Sequence, residues 1–226
     1  RLWTKAIQTA LDENRSVYIP YSGQPYYIDA PLVIKSHSRL TVDPKAEIRL
    51  RPGINTCMIR NQNQVNGQNG PVDLKGECDS NIEIEGGIWT TLATSQEESN
   101  GNINGGPDSA NELHGHGVIL MNRVKQVIVR NVTIKESRPH GVQFCNASEF
   151  MAENILFIDH SRDGVHINGP ASYGIIRNIR GVTGDDMIAL NAWDWKNTVM
   201  SFGPIHHMLV ENVKAGVEGS DFRAEI

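Results

Sequence analysis

A short motif returns along the second half of the chain at almost constant spacing, and it constrains the fold more than any other feature. Gly117-Val-Ile-Leu-Met, Gly141-Val-Gln-Phe-Cys, Gly164-Val-His-Ile-Asn and Met187-Ile-Ala-Leu-Asn follow one another in nearly equal steps. A second series runs about half a repeat out of phase: Asn131-Val-Thr-Ile, Asn154-Ile-Leu-Phe, Asn178-Ile-Arg-Gly and Asn212-Val-Lys-Ala, of which only the last step is longer. Asn81-Ile-Glu-Ile reads as an earlier member, about two periods before Asn131. Each unit holds short β segments between Asn- and Gly-bearing corners, and none can bury its apolar face alone. Stacking does bury it, with about 4.8 Å between neighbouring strands. The period therefore predicts an all-β fold, a right-handed parallel β-helix or solenoid.

The flanking sequence fits that expectation. Apolar residues at helical spacing between Leu2 and Asp12 predict a short amphipathic helix capping the open end of the core. Ser16-Val-Tyr-Ile, Pro31-Leu-Val-Ile and Arg39-Leu-Thr-Val read as short strands bounded by turn residues. Thr90 to His114, polar and rich in Gly, Asn and Ser, reads as a long excursion, and Asn191 to Ser201 lengthens the last repeat. Such loops gather on one side of a solenoid and build its binding face. The chain reads as one domain over residues 1–226, and its stop at Ile226 within an apolar-alternating stretch marks a piece expected to lack C-terminal coils.

Composition removes several classes of function. A net charge of -5 supplies no basic footprint, so nucleic acid is not an expected partner. No apolar run approaches membrane-span length, and a secreted or periplasmic monomer with no membrane span is expected. Three cysteines are too few and too scattered for a disulfide framework or a zinc site. Cys57 and Cys78 read either as one bridge or as two buried thiols, and Cys145 as a small buried hydrophobe. No cofactor is expected.

Register carries the chemistry. Val118, Val142, Val165 and Ile188 are expected to form one inward apolar column, and Leu120, Phe144, Ile167 and Leu190 another. The residues between them, Ile119, Gln143, His166 and Ala189, are then expected mostly to face outward. The position before each strand is His116, His140, Asp163 and Asp186, so stacking places four titratable groups in one ladder, about 5 Å apart. Asp185 shares the corner of Asp186. A lone Asp at such a corner most often bonds the backbone and is inert. Three crowded across adjacent rungs disfavour joint ionisation, so at least one pKa is expected to rise. Carboxylates held in different protonation states are the equipment for breaking glycosidic bonds.

Ser161-Arg-Asp-Gly-Val, followed one repeat later by Gly184-Asp-Asp-Met-Ile-Ala-Leu, resembles the Asn-Thr-Asp and Gly-Asp-Asp signatures of the polygalacturonase family of glycoside hydrolases, which share the pectin-lyase-like β-helix. The resemblance runs from the capping helix through Gly86-Gly-Ile-Trp to the C-terminus. It implies an inverting hydrolase in which Asp185 is the general acid and Asp163 and Asp186 hold and activate the attacking water. Gly219-Ser-Asp-Phe-Arg-Ala-Glu is weakly similar to the family's Arg-Ile-Lys substrate clamp, with Arg223 facing outward beside Glu225. The departures are Ser161-Arg162 for Asn-Thr, Glu225 for the clamp lysine, and no Gly-His-Gly between Asp186 and Arg223. Gly115-His-Gly stands too early to be that motif. These differences leave the glycan open: pectin-like, neutral or otherwise charged.

Other residues extend the candidate site. His140 and His166 are candidate sugar-binding groups or proton partners, while His116 reads as a surface turn residue. A His–His–Asp metal ladder is the weaker reading, because a linear ladder suits a compact coordination sphere poorly. Trp193 and Trp195 follow the Asp pair in the inserted loop, where exposed indoles stack on sugar faces. Trp89 is assigned to the core, and His206 and His207 to a strand edge. Two rivals to a hydrolase remain: a polysaccharide lyase, with Arg138, Arg162 or Arg223 as its cation or base, and a non-catalytic glycan-binding β-helix.

Overall fold

The chain opens with helix α1, Thr4–Glu13, which buries Ile7 and Leu11 against the core. Gln8 accepts from the Val33 N–H at 2.8 Å and donates to the Val33 carbonyl at 3.0 Å. One side-chain amide thus occupies both groups of an edge strand that would otherwise lack a neighbour. The structure is a computed structural model and describes residues 1–54, 56–63, 78–96, 117–193 and 201–216.

Beyond α1 the described residues are all-β in character. The first six strands are β1 (Ser16–Ile19), β2 (Tyr26–Ile28), β3 (Leu32–Ile34), β4 (Ser38–Leu50), β5 (Ile59–Asn61) and β6 (Asp79–Thr90). They are followed by β7 (Ile119–Arg130), β8 (Thr133–Ser137), β9 (Val142–His160), β10 (Val165–Thr183), β11 (Ile188–Asn191) and β12 (Ile205–Ala215). Every strand pairing among the described residues is parallel. Ile119 pairs with Val142, Val142 with Val165 and Val165 with Ile188, in equal steps along the chain. Ala171 pairs back to Ala147 at nearly the same step, but forward to Ile205 at a distinctly longer one. The repeat seen in the sequence is therefore the stacking period, and the lengthened last repeat is an insertion between stacked partners.

Two predicted registers need correction. Ile119, not Val118, stands level with Val142, and Met121, not Leu120, stands level with Phe144. The motif sets Gly117-Val118 against Gly141-Val142, whereas the backbone sets Ile119 there, so the Gly-Val pair sits one position early. The intervening column is Leu120, Gln143, His166 and Ala189, and all four are buried. Leu120 leaves the main core and groups with Cys57 and Cys145. Likewise Ile82 pairs with Val127, so Asn81 lies level with Gln126 rather than in the Asn131 series. Two corners per repeat share one local signal, and that similarity misled the spacing.

Those corners are the backbone's solution to repeated bending. Asn131, Asn154, Asn178 and Asn212 all adopt left-handed φ, at 57°, 52°, 57° and 52°. Asn tolerates that region better than other side chains with a Cβ. The Asn154 amide donates to Asn131 Oδ1 at 2.8 Å and the Asn212 amide to Asn178 Oδ1 at 2.5 Å. One position before this series, Glu85, Arg130, Glu153, Arg177 and Glu211 stack with alternating sign. Arg177 meets Glu153 at 2.7 Å and Arg130 meets Glu85 at 3.3 Å. Such cross-strand pairs contribute roughly 0.2–1 kcal/mol each, and their larger effect is on register. Within, Phe144, Phe150, Phe157 and Trp89 are fully buried, Trp89 as expected. Cys57 and Cys145 are buried and Cys78 exposed, all as free thiols.

The Asn ladder yields a test. Asn154→Ala should lower stability by about 1–2 kcal/mol, the cost of a left-handed alanine. Asn154→Gly should lose about half of that or less, because glycine accepts the conformation. Urea unfolding of the two variants beside the parent protein measures both.

Candidate functional site

The acidic corner is built by the stacking itself. The Gly141 N–H donates to the Asp163 carbonyl and the Gly164 N–H to the Asp186 carbonyl, both at 2.8 Å. His140, Asp163 and Asp186 therefore occupy successive rungs, as expected. Val118 N–H donates to the His140 carbonyl at 2.7 Å, which places Gly117 level with His140. Gly117 thus takes the rung where His116 is expected, and His116 lies outside the described residues.

Glycine after His140 and Asp163 is a packing requirement. A Cβ on Gly164 would stand 2.6 Å from the Met187 carbonyl oxygen and 2.8 Å from Phe157 Cε2. On Gly141 it would stand 2.3 Å from Phe157 Cε1. Both corners pass directly over the Phe157 ring, which fixes where the neighbouring acids stand.

Asp163 is the hub. It is 6% exposed, and one oxygen each of Asp163, Asp185 and Asp186 lie within 4.8 Å of one another. His166 Nδ1 lies 2.5 Å from Asp163 Oδ2, and His140 Nε2 lies 3.6 Å from the same oxygen. The two imidazoles stack at 3.8 Å with 6° between their planes. The Asn191 amide reaches His166 Nε2 at 3.4 Å, a pairing that fits Nδ1–H donating to Asp163. His140 and His166, read as sugar-binding groups or proton partners, are both buried against Asp163. Arg162 Nη1 lies 3.6 Å from Asp185 Oδ2, and the Thr183 hydroxyl donates to the Asp185 carbonyl at 2.8 Å.

His140, Asp163 and His166 also bring three donor atoms within 4.8 Å, as do the three acids. Metal ligation needs convergent donors about 2 Å from the ion. The two stacked rings both turn a nitrogen to one oxygen of Asp163, at 2.5 Å from His166 and 3.6 Å from His140, so in this structure the set is joined through that carboxylate oxygen.

Sequence reasoning missed His160. Its Nε2 lies 2.8 Å from the Asp163 carbonyl oxygen, and it is 2% exposed. Burial pushes its pKa down to about 4, against the opposing pull of the Asp163 carbonyl and carboxylate. The ring is therefore neutral above that pH, with Nε2–H donating to the carbonyl. The missed signal was its place, just before Asp163 at the end of a strand.

Trp193 is exposed and packs edge-to-face on Phe202, ring centroids 4.3 Å apart, just beyond Asn191. Trp195 and Arg223 lie outside the described residues. His206 and His207 are exposed, touch through Nδ1 atoms at 2.7 Å and pack on Tyr173, away from the acid trio in the register.

No family model and no curated protein matches the sequence. Among solved structures the chain is similar to a protein of Parabacteroides merdae ATCC 43184 that is provisionally named a glycosyl hydrolase. The two are 13% identical with a TM-score of 0.66, over 100% of this chain and 93% of that one. It is also similar to PfbA, a surface adhesin of Streptococcus pneumoniae, in two structures. Identities are 15% and 16%, and TM-scores 0.55 and 0.59, over 94% and 93% of this chain. The chain spans 58% and 56% of those two PfbA chains. At such identities the likeness shows the fold alone.

His160 gives a pH test. An unfolded histidine titrates near 6.5, so between about pH 6.5 and about 4 the unfolded chain binds a proton that the folded chain refuses. The stability it supplies is complete above that window and falls as pH drops through it, by ~3 kcal/mol in all. His160→Gln should remove this component. Urea unfolding at pH 7 and pH 4 should show a smaller loss in the variant than in the parent.

Proposed function

We propose that the chain is a right-handed parallel β-helix glycoside hydrolase, polygalacturonase-like, acting outside the cell on a polysaccharide. The observation that carries this reading is the meeting of Asp163, Asp185 and Asp186 within 4.8 Å at one corner. The constant step between parallel partners supports the β-helix. The likeness to a protein provisionally named a glycosyl hydrolase supports the reaction class.

In this reading Asp185, beside Arg162 and a third exposed, donates a proton to the leaving glycosidic oxygen. Asp163 and Asp186 hold the attacking water. His166 and His140 orient Asp163 through its Oδ2, and His160 anchors its backbone. Trp193 offers an exposed indole for a sugar face.

One observation favours a second stereochemical outcome. Inversion commonly uses carboxyl groups ~6.5–9.5 Å apart, whereas retention uses ~5–5.5 Å. The nearest oxygens here, within 4.8 Å, are closer than the inverting spacing expected from the resemblance. The resemblance implies inversion, with two carboxylates sharing the water, whereas the short spacing points to retention. Proton NMR of the first-formed product distinguishes the two: an anomer opposite to the substrate's supports inversion, and the same anomer establishes retention.

A reducing-end assay against plant, algal and host glycans should find turnover on at least one. Asp185→Asn should reduce that turnover by about 10²–10⁴-fold while leaving the fold intact. Losses in Asp163→Asn and Asp186→Asn should not add, because the groups act as a unit. Unsaturated products absorbing in the near ultraviolet would replace the hydrolase by a lyase. Binding without turnover of any glycan would favour non-catalytic attachment, a reading that draws on the likeness to PfbA.

A further inference from the structure

A trough of about 870 Å³ runs along a different part of the stack from the acidic corner, and none of its lining residues belongs to that corner. One wall is the second corner column. His37, Asn81, Gln126, Glu149 and Tyr173 lie on successive rungs, each preceding the paired residues Ser38, Ile82, Val127, Phe150 and Gly174. Five rungs span four strand spacings, about 19 Å in all. The floor is an outward column in which Ile128, Met151 and Ile175 stand level with one another, all half-buried, and Glu83 and Arg39 continue it.

The wall side chains are kept at a conformational cost. All five wall residues have left-handed φ between 53° and 60°. Asn81 tolerates the conformation, and at the other four Asn or Gly would relieve that strain, as Asn does at four positions of the other corner column. Gln126, Glu149 and Tyr173 gain nothing locally from the conformation, yet it projects an amide, a carboxylate and a phenol into the trough. Tyr173 is 57% exposed.

The charges in the trough cancel. Arg15 and Arg39 stand against Glu83 and Glu149. Arg39 lies 3.7 Å from Glu83 and also bonds Glu85, while Glu149 meets Lys125 at 3.0 Å and accepts from Gln126 at 2.9 Å. A polyanion finds no uncompensated cationic row. A peptide strand finds no free edge, because the backbones of these rungs already pair with their neighbours. An apolar strip, an exposed phenol and spaced amides suit a ligand with C–H faces and repeated hydroxyls.

We propose that this trough is a second, non-catalytic site for a neutral oligosaccharide chain. The choice of a sugar rests on the glycan reading above, but the site does not depend on catalysis at Asp185. C–H faces of the sugar lie on Ile128, Met151, Ile175 and Tyr173, and its hydroxyls meet Asn81 and Gln126.

Calorimetry of Asp185→Asn, which prevents hydrolysis, with cellohexaose, xylohexaose, mannohexaose and hexagalacturonate tests it. At least one neutral hexasaccharide should bind, and more tightly than hexagalacturonate. Met151→Arg, added to that background, should weaken this binding by at least about tenfold, and Tyr173→Ala by about tenfold. Turnover of short soluble substrate should be unchanged by either substitution alone. Tyr173→Ala alters an exposed side chain and decides the matter if Met151→Arg does not fold. Unchanged affinity in a folded variant, or no neutral hexasaccharide bound, overturns the proposal. So does a wild-type dimer that Met151→Arg dissociates without any sugar binding, which would make the trough a contact between copies. Trough binding with no turnover of any glycan would instead overturn the hydrolase and leave this site standing.

Discussion

Parallel backbone pairing at a constant step is the constraint on which the rest of the structure depends. Each strand donates to and accepts from a neighbour one repeat away over most of the stack, so any side chain is echoed by its counterpart one rung on. Apolar positions become columns inside, and Phe144 and Phe150 stack at 4.6 Å there. Polar corners become ladders outside, with Asn pairs and alternating Glu and Arg. The same rule crowds acids where two successive repeats both place Asp at one corner, and the fold has no freedom to spread them.

That crowding is stabilised from one side. Asp163 is surrounded by imidazoles: His166 and His140 on its carboxylate, His160 on its carbonyl. Phe157 sets the height of the corner, because Gly141 and Gly164 cross it with no room for a methyl group. Asp185 stands in a different setting, since it is more exposed and has the Arg162 guanidinium beside it. Two environments for adjacent carboxylates are the physical basis for giving them different tasks.

Much of this was legible in the sequence, and the failures are instructive. Period and corner both showed, because Asn at a left-handed bend and an apolar pair after Gly leave local traces. The rung order of His140, Asp163 and Asp186 followed directly. The register of residues 117–121 did not, because two adjacent apolar residues, Val118 and Ile119, can each fill the inward position. Asn81 was placed at the wrong corner because both corners of a repeat accept Asn. The burial of His140 and His166 was invisible, since alternation tells which face a residue takes but not whether that face is covered. His160 acts through a backbone carbonyl, a contact no spacing rule reveals.

The central claim is that one glycan crosses the corner where Asp163, Asp185 and Asp186 meet. A crystal structure of Asp185→Asn soaked with the glycan that the parent protein cleaves tests it most directly. The account predicts sugar density with a glycosidic oxygen within hydrogen-bond distance of residue 185, and a water held between Asp163 and Asp186. Sugar bound elsewhere on the molecule, with all three positions uncontacted, would contradict it.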